Sequence, residues 1–289
     1  MTEEEFKQQL QHLSIWKQGD QRAPHKPLLL LYALSKYQGK KQKLVPYEEV
    51  KPKLVSLLVE FGPKRRSYHP EQPFTRLTTD RIWTLSKEVD EKNPKNKELL
   101  DAEVSGGFTD EVLRLFDRNP RLVRDSAELL LQQHFPDTLH DDILAAVGLD
   151  LEVEIKRRRD PQFRENILRA YEHRCAVCGF SVRLGHQLVG IEAAHIKWHQ
   201  SGGPDTETNG VALCSLHHKL FDRGVYTINP DRIVIVSEEA HGNQGFEDWL
   251  MKFHGNEIQH PVHPDYVPQP NFTHWHVKEV FKGDGRYIY

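Results

Sequence analysis

The second half of the chain contains three short segments in which cysteine and histidine recur at fixed spacing. They are Cys175-Ala-Val-Cys178-Gly179, Ile191-Glu-Ala-Ala-His195-Ile196 and Thr208-Asn209-Gly-Val-Ala-Leu-Cys214-Ser-Leu-His217-His218. A Cys-x-x-Cys turn directs two thiolates at one point, and Cys214 with His217 adds a second pair. Four ligands of this kind suit the tetrahedral coordination of a structural Zn²⁺ ion. The sequence therefore predicts zinc bound by Cys175, Cys178, Cys214 and His217.

The two pairs also permit other interpretations. A Cys-x-x-Cys pair alone is typical of redox motifs as well. The second pair uses the last of the three cysteines in the chain, which favours a metal site over a free thiol. His218 follows His217 directly and competes with it as a candidate zinc ligand.

His195, Asn209 and His218 occur between and after the cysteine pairs, and their order and context resemble the HNH, or ββα-metal, nucleases. The resemblance spans roughly residues 174 to 229. It implies an antiparallel hairpin that carries His195 and a helix that carries His218. It also implies DNA cleavage, with His195, Asn209 and His218 as the catalytic residues and Mg²⁺ or Mn²⁺ as the catalytic ion.

Phosphodiester hydrolysis requires residues of these types. Histidine, with an ordinary pKa of about 6.5, can deprotonate water near neutral pH. A divalent cation, for which His218 is the expected ligand, offsets charge on the leaving oxygen. Asn209 either binds that ion or holds the loop that orients His195. Many relatives place Asp or His immediately before the first histidine, where this chain has Ala194, and strand alternation makes Glu192 a substitute ligand.

The first half of the sequence predicts a mainly helical domain with a small β element. Thr2 and Glu5 have the spacing of a capping box. The apolar run Leu28–Leu31 predicts a buried helix because it is hydrophobic on every side. Two short segments, Phe74–Leu77 and Ile82–Leu85, are predicted to pair as strands. Further helices are expected at Glu48–Phe61, Thr109–Phe116, Arg121–Phe135 and Leu139–Val147.

Two loops of the first half resemble the sulfur-binding domain of McrA-like, phosphorothioate-dependent restriction endonucleases. The candidate DNA- and sulfur-binding residues in these loops are Arg22, His25, Lys26, Lys64, Arg65, Arg66, Tyr68, His69, Pro70 and Phe74. The resemblance implies recognition of double-stranded DNA in which sulfur replaces a phosphate oxygen. The structural alternatives are that Pro24 and Pro27 only start a helix and that Lys64–Arg66 form a solvated turn. Ser105–Phe108, which contains two glycines, is a further candidate contact loop.

The basic and apolar residues of these loops suit phosphorothioated DNA as a ligand. A phosphorothioate is an anion, so Arg, Lys and His can bind it. Sulfur is larger and less hydrated than oxygen. A shallow apolar cup would therefore accept sulfur and would leave an ordinary phosphate oxygen badly desolvated.

Length and composition place limits on these hypotheses. A chain of 289 residues with 38% hydrophobic and 28% charged residues suits two packed domains and no membrane segment. We expect an α+β protein with a recognition domain at residues 1–150, a linker at 151–160 and a zinc-stapled nuclease domain at 161–289. The net charge of −3 conceals an acidic stretch before the linker and basic stretches elsewhere. Without a recognisable export signal, a cytoplasmic location is expected.

The resulting hypothesis is a modification-dependent endonuclease that binds phosphorothioated DNA and cuts nearby. One alternative is an HNH endonuclease that recognises methylated or unmodified DNA. Another is a zinc-stabilised DNA-binding protein that lacks cleavage activity. A single HNH site cleaves one strand, so a double-strand break would need a homodimer or two binding events. The sequence leaves open the recognised bases, the cleavage distance and the role of the segment after about residue 233.

Overall fold

The chain folds as two units, Met1–Ile155 and Lys156–Tyr289. The structure is a computed structural model that describes residues 1–15, 19–150 and 161–288. The linker predicted at residues 151–160 lies outside the described residues. Among the described helices, none has both the length and the apolar character needed to cross a bilayer.

The first unit is mainly helical, as predicted, and has a small antiparallel sheet. Its described helices are α1 (Glu3–Gln11), α2 (His25–Lys40), α3 (Tyr47–Phe61), α4 (Glu71–Arg76), α5 (Asn96–Asp101), α6 (Asp110–Arg118), α7 (Arg121–His134) and α8 (His140–Val147). Its strands are β1 (Val45–Pro46), β2 (Trp83–Leu85) and β3 (Ser105–Phe108), in the order β1-β3-β2.

Local sequence accounts for the two helices at the start of this unit. The Thr2 hydroxyl accepts a hydrogen bond from the Glu5 N–H at 3.1 Å, and the Glu5 carboxylate accepts one from the Thr2 N–H at 2.7 Å. This is the predicted capping box, which satisfies donors that a helix start leaves free. The run Leu28–Leu31 lies in α2 and is buried on all sides, which confirms the interpretation of its hydrophobicity.

The predicted pairing of Phe74–Leu77 with Ile82–Leu85 is wrong. Phe74 lies in α4 and Leu77 begins a 3₁₀ turn, while Trp83–Leu85 pairs with Ser105–Phe108 instead. Pro70 and Pro73 are compatible with a helix start and cannot donate to a β ladder, which explains the difference.

The predicted contact loop Ser105–Phe108 is also wrong, because this segment is the central strand β3. Gly106 and Gly107 are buried there. A Cβ at Gly106 would lie 2.9 Å from both the Phe74 and the Trp83 ring. The glycines therefore permit close packing inside the unit.

The described part of the second unit contains three antiparallel strand pairs flanked by helices. Its described helices are α9 (Pro161–Ala170), α10 (Ser215–Asp222), α11 (Gln244–Trp249) and α12 (Pro270–Glu279). Its strands are β4 (Val182–Leu184), β5 (Gln187–Val189), β6 (Ile191–His195), β7 (Gly210–Cys214), β8 (Tyr226–Ile228) and β9 (Val234–Val236). They pair as β4–β5, β6–β7 and β8–β9.

The segment after residue 233, which sequence patterns left unassigned, belongs to the core of this unit. The Trp275 ring lies 5.9 Å from that of Trp198, and the His276 ring stacks on Phe221 with centroids 3.7 Å apart. His276 also shares a hydrogen bond of 2.8 Å with the Thr227 hydroxyl. The segment therefore holds α10 and β8 in place.

The close packing at β3 predicts a specific destabilisation by Gly107→Ala. The new Cβ would lie 1.9 Å from the backbone oxygen of Lys43, so the backbone of one of the two segments would have to move. We expect the free energy of unfolding to fall by about 2 kcal/mol, measured by chemical denaturation of the full chain. Gly39→Ala is the matched control, because Gly39 lies in a helix with open space around it. Equal stability of the two variants would contradict the packing.

Candidate functional site

The structure brings the four predicted zinc ligands together. One ligand atom each from Cys175, Cys178, Cys214 and His217 can be chosen so that all four lie within 4.8 Å of one another. A tight turn places the first two, since the Gly179 N–H donates to the Cys175 carbonyl at 2.8 Å and Gly179 has φ +72°. The other two lie at the end of β7 and in the first turn of α10.

The distances in this cluster fit a tetrahedral ion. His217 Nδ1 lies 3.1 Å from Cys214 Sγ and 3.7 Å from Cys175 Sγ, and the Sγ atoms of Cys178 and Cys214 are 4.0 Å apart. Zinc–sulfur bonds of about 2.3 Å place neighbouring sulfur atoms about 3.8 Å apart. His217 Nε2 lies 2.9 Å from the Trp249 carbonyl oxygen, so its proton is held there and Nδ1 is left to bind metal.

His195 lies at the carboxyl end of β6, where it pairs with Gly210 of β7. Its Nε2 atom is 2.7 Å from Asp205 Oδ1, and its ring stacks on Phe163 with centroids 4.0 Å apart and an angle of 12°. A carboxylate only accepts, so the shared proton lies on Nε2 and Nδ1 is the basic nitrogen.

Burial gives His195 the protonation state that a general base needs. Removal from water lowers the pKa of His195, and Asp205 opposes this shift by stabilising the charged ring. The net direction is downward, so the ring is neutral at neutral pH.

Asn209 braces the loop beside His195. Its side chain is fully buried, and its Oδ1 accepts from the Lys197 N–H at 2.8 Å. Its Nδ2 donates to the carbonyl oxygens of Lys197 and Pro204, each at 3.0 Å. Both amide donors are used within the chain. Of the two roles considered for Asn209, this geometry favours the orientation of the loop over binding of an ion.

His218 lies between two carboxylates. Its Nδ1 atom is 2.6 Å from Glu192 Oε2, and its Nε2 atom is 3.2 Å from Asp222 Oδ2. Asp222 in turn accepts a hydrogen bond of 3.0 Å from the Trp198 indole. Burial alone would lower the pKa of His218, but Asp222 and Glu192 together raise it to about 9. The surroundings therefore favour positive charge.

This charge distribution fits a divalent cation bound by His218 and Glu192. Ala194 offers no ligand atom, and Glu192 is on the face where strand alternation predicts a substitute. Among the described residues, the Cys₃His cluster is the single preformed group of three or more ligands. An ion at His218 would thus need further oxygen ligands from water or a DNA phosphate, which is how Mg²⁺ is commonly bound.

A second concave site lies in the first unit, where the start of α2 meets α4. It is a pocket of about 610 Å³. Its walls are formed by Ser14, Ile15, Ala23, His25, Lys26, His69, Gln72, Pro73 and Arg76. Residues from both candidate sulfur-binding loops therefore face one cavity, although they are separated by some forty positions in the sequence.

His25 and His69 contribute different chemistry to this pocket. Burial, with smaller effects of Arg65 and His69, lowers the pKa of His25 to about 4, so the ring is neutral at neutral pH. His69 is more exposed, and its Nδ1 atom lies 2.9 Å from Glu71 Oε1. The cavity wall thus places the uncharged ring of His25 beside the cationic side chains of Lys26 and Arg76.

The structure removes one predicted contact residue and gives two others structural roles. Phe74 is completely buried, with its ring centroid 4.8 Å from that of Tyr47, so its assignment to a sulfur cup is wrong. Lys26 forms a buried ion pair with Asp80 at 2.5 Å. Arg22 is buried and donates to the Phe61 carbonyl oxygen at 2.8 Å. These three side chains are engaged by residues distant in the sequence, so their local sequence could not reveal that they are unavailable to DNA.

The other predicted contact residues keep access to solvent, apart from one. Lys64 and Arg66 are exposed, and Arg65 and Tyr68 are half-buried on the same loop. Pro70 is buried at the start of α4. A cationic loop therefore adjoins the helix that forms one wall of the pocket.

The hairpin, the helix that follows it and their histidines define an HNH nuclease domain. Comparison with protein families agrees, because the HNH endonuclease family matches residues 175–229. The family described as the ScoMcrA-like DNA sulfur-binding domain matches residues 3–152. This match covers more than half of the chain, so the chain belongs to that family, and its second unit makes it an HNH DNA endonuclease.

Similar chains also occur among solved structures. The sulfur-binding domain of ScoMcrA with phosphorothioated DNA is 19% identical, with 50% of this chain and 95% of that chain covered and a TM-score of 0.42. The corresponding SprMcrA domain is 19% identical, with 52% and 95% covered and a TM-score of 0.44. The modification-dependent restriction endonuclease TagI is 27% identical, with 46% and 41% covered and a TM-score of 0.30. A comparison with curated proteins returns no match.

The Cys₃His cluster predicts one zinc ion per chain that stabilises the second unit. We expect Cys178→Ser to lose the ion, measured by mass spectrometry of the purified protein, and to lower the unfolding midpoint by roughly 10 °C. His241→Ala, at an exposed histidine outside the cluster, is the control and should retain zinc. A metal content that is equal in wild type and Cys178→Ser would contradict the assignment.

Proposed function

We propose that the protein is a modification-dependent restriction endonuclease that binds phosphorothioated double-stranded DNA and hydrolyses a phosphodiester bond nearby. Residues 1–150 would recognise the modified DNA, and residues 161–289 would cleave it. The observation that supports this most is a pocket lined by residues of both candidate sulfur-binding loops, in a chain that also carries an HNH domain.

The pocket suits a sulfur atom within an anionic backbone. Ile15, Ala23 and Pro73 offer an apolar wall, and the neutral ring of His25 adds no full charge to it. A poorly hydrated sulfur loses little on entering such a site, whereas an ordinary phosphate oxygen would lose its water without a full replacement. Arg76 at the pocket and the cationic residues 64–66 would hold the adjoining phosphates.

His195 is the residue that would activate water in the second unit. Its neutral ring can take a proton on Nδ1, while Asp205 holds Nε2. His218 and Glu192 would hold a Mg²⁺ or Mn²⁺ ion, which when bound supplies positive charge opposite the scissile phosphate. Asn209 keeps the intervening loop in place.

If the pocket distinguishes sulfur from oxygen, two duplexes of identical sequence that differ only in this atom should bind with different affinities. We expect the full chain to bind a phosphorothioated duplex at least about tenfold more tightly than its unmodified counterpart, measured by fluorescence anisotropy. Ala23→Glu should abolish this preference, because it adds a carboxylate to the pocket wall beside an anion.

Ala145→Glu makes the same change at an exposed position of α8 and should bind as wild type does. Equal affinity for both duplexes would refute sulfur recognition. Preference for a methylated duplex would instead support an HNH endonuclease that recognises another modification.

If His195 is the general base, its removal should slow DNA cleavage without weakening DNA binding. We expect His195→Ala to bind the phosphorothioated duplex normally and to cleave it about 10² to 10⁴ times more slowly with Mn²⁺. Gel assays of a labelled duplex measure the rate, and His241→Ala serves as the control. Cleavage by His195→Ala at the wild-type rate would rule out His195 as the base.

A further inference from the structure

Asp205 is an acidic residue in the segment between β6 and β7 that the sequence did not single out. One carboxylate oxygen lies 2.7 Å from His195 Nε2, and the other lies 3.9 Å from His199 Nε2. The side chains of His195 and Asp205 are 20% and 33% exposed, so His195 is half-buried and the contact is partly open to water on the Asp205 side. A hydrogen bond to a carboxylate is short and stronger than one between two neutral groups.

The ring of His195 is restrained on a second side. Phe163 of α9 stacks on it almost in parallel, at 4.0 Å and 12°. Stacking limits tilting of the ring, and the Asp205 contact limits its rotation about the Cβ–Cγ bond. Together they leave one orientation, in which Nδ1 is available as the proton acceptor.

Asp205 is itself held by the loop that Asn209 braces. The Asn209 side chain donates to the carbonyl oxygen of Pro204, the residue before Asp205, at 3.0 Å. Gly203 also packs closely here, because a Cβ at that position would lie 1.9 Å from the Lys197 carbonyl oxygen and 2.8 Å from Asn209 Nδ2. The backbone that carries Asp205 therefore depends on Asn209, although the two side chains do different things.

We propose that Asp205 is the positioning residue of the general base. The inference rests on the proposed role of His195. When water gives its proton to His195 Nδ1, the water oxygen bonds to phosphorus and the bond from phosphorus to the leaving oxygen breaks. The ring becomes positively charged beside the Asp205 carboxylate, which stabilises that charge without accepting the proton.

The charged groups around the His195 ring determine the direction in which its pKa changes when Asp205 is replaced. The groups that act on His195 are Asp205 on its own loop, His199 in the following 3₁₀ turn and Asp222 of α10. Burial lowers the pKa of His195, Asp205 and Asp222 raise it, and His199 lowers it. Loss of the Asp205 charge therefore moves the acidic limb of the rate profile, where the base becomes protonated, to lower pH.

Asp205→Asn is the direct test, with Asp231→Asn as the control at an exposed aspartate. We expect Asp205→Asn to bind phosphorothioated DNA normally, to cleave it about 10² to 10³ times more slowly and to shift the acidic limb downward. Asp205→Glu keeps the charge and should recover part of the rate. If Asp205→Asn cleaves at the wild-type rate and the acidic limb of its pH–rate profile is unchanged, the inference is overturned.

A second measurement does not depend on activity. In the zinc-loaded wild-type protein without added Mg²⁺ or Mn²⁺, ¹⁵N NMR of the His195 ring should report a proton on Nε2, and in Asp205→Asn this preference should be lost. A proton on Nδ1 in the wild type would overturn the proposal. If His195→Ala cleaves normally, the proposed base is wrong; if it is inactive while Asp205→Asn matches wild type, only the role of Asp205 fails.

Discussion

The antiparallel pairing of β6 with β7 is the constraint on which the second unit depends. Its register places Ile191 opposite Cys214 and His195 opposite Gly210. The candidate zinc cluster therefore lies at one end of the hairpin and the candidate base at the other. A shift by a single residue would turn both sets of side chains to the opposite face. The Cys₃His cluster attaches the preceding knuckle and α10 to this hairpin, and so it also limits where His218 can lie.

Asp80 has a comparable position in the first unit. It pairs with buried Lys26 at 2.5 Å and accepts a hydrogen bond of 2.8 Å from the Ser14 N–H. Ser14 and Lys26 both line the pocket, and Asp80 follows α4, which forms the other wall. A buried charge that loses its partner is costly, so removal of Asp80 would release two walls at once. A side chain predicted to bind DNA is thus used to shape the pocket.

Part of the fold could be predicted because its causes are local. The capping box at Thr2, the apolar run in α2 and the helical spacing of Glu48–Phe61 depend on neighbours within four residues. The strand pair at Phe74 was wrong because short apolar segments suit either a strand or a helix. Their partners decide, and here Trp83 pairs with Phe108, which is distant in the sequence.

The residues of the candidate sites also fall into those that the sequence indicated and those that only the structure revealed. The spacing of Cys175, Cys178, Cys214 and His217, and the order of His195, Asn209 and His218, indicated a metal cluster and a nuclease hairpin. Their chemistry resides in residue type and short spacing. Asp205 and Phe163 carried no such signal, because a single Asp or Phe is common and its contact with a histidine forms only on folding.

The sequence by itself therefore determined the two-part plan of the protein and the candidate side chains for a zinc site and for a general base. The tertiary structure decided which of these side chains remain available. Phe74 and Lys26 are buried, and both amide donors of Asn209 are bonded to backbone carbonyl oxygens. A carboxylate lies beside each of the candidate catalytic histidines, His195 and His218. The physical reason is that availability and basicity depend on burial and on neighbouring charge. Both are properties of distant residues brought together by packing.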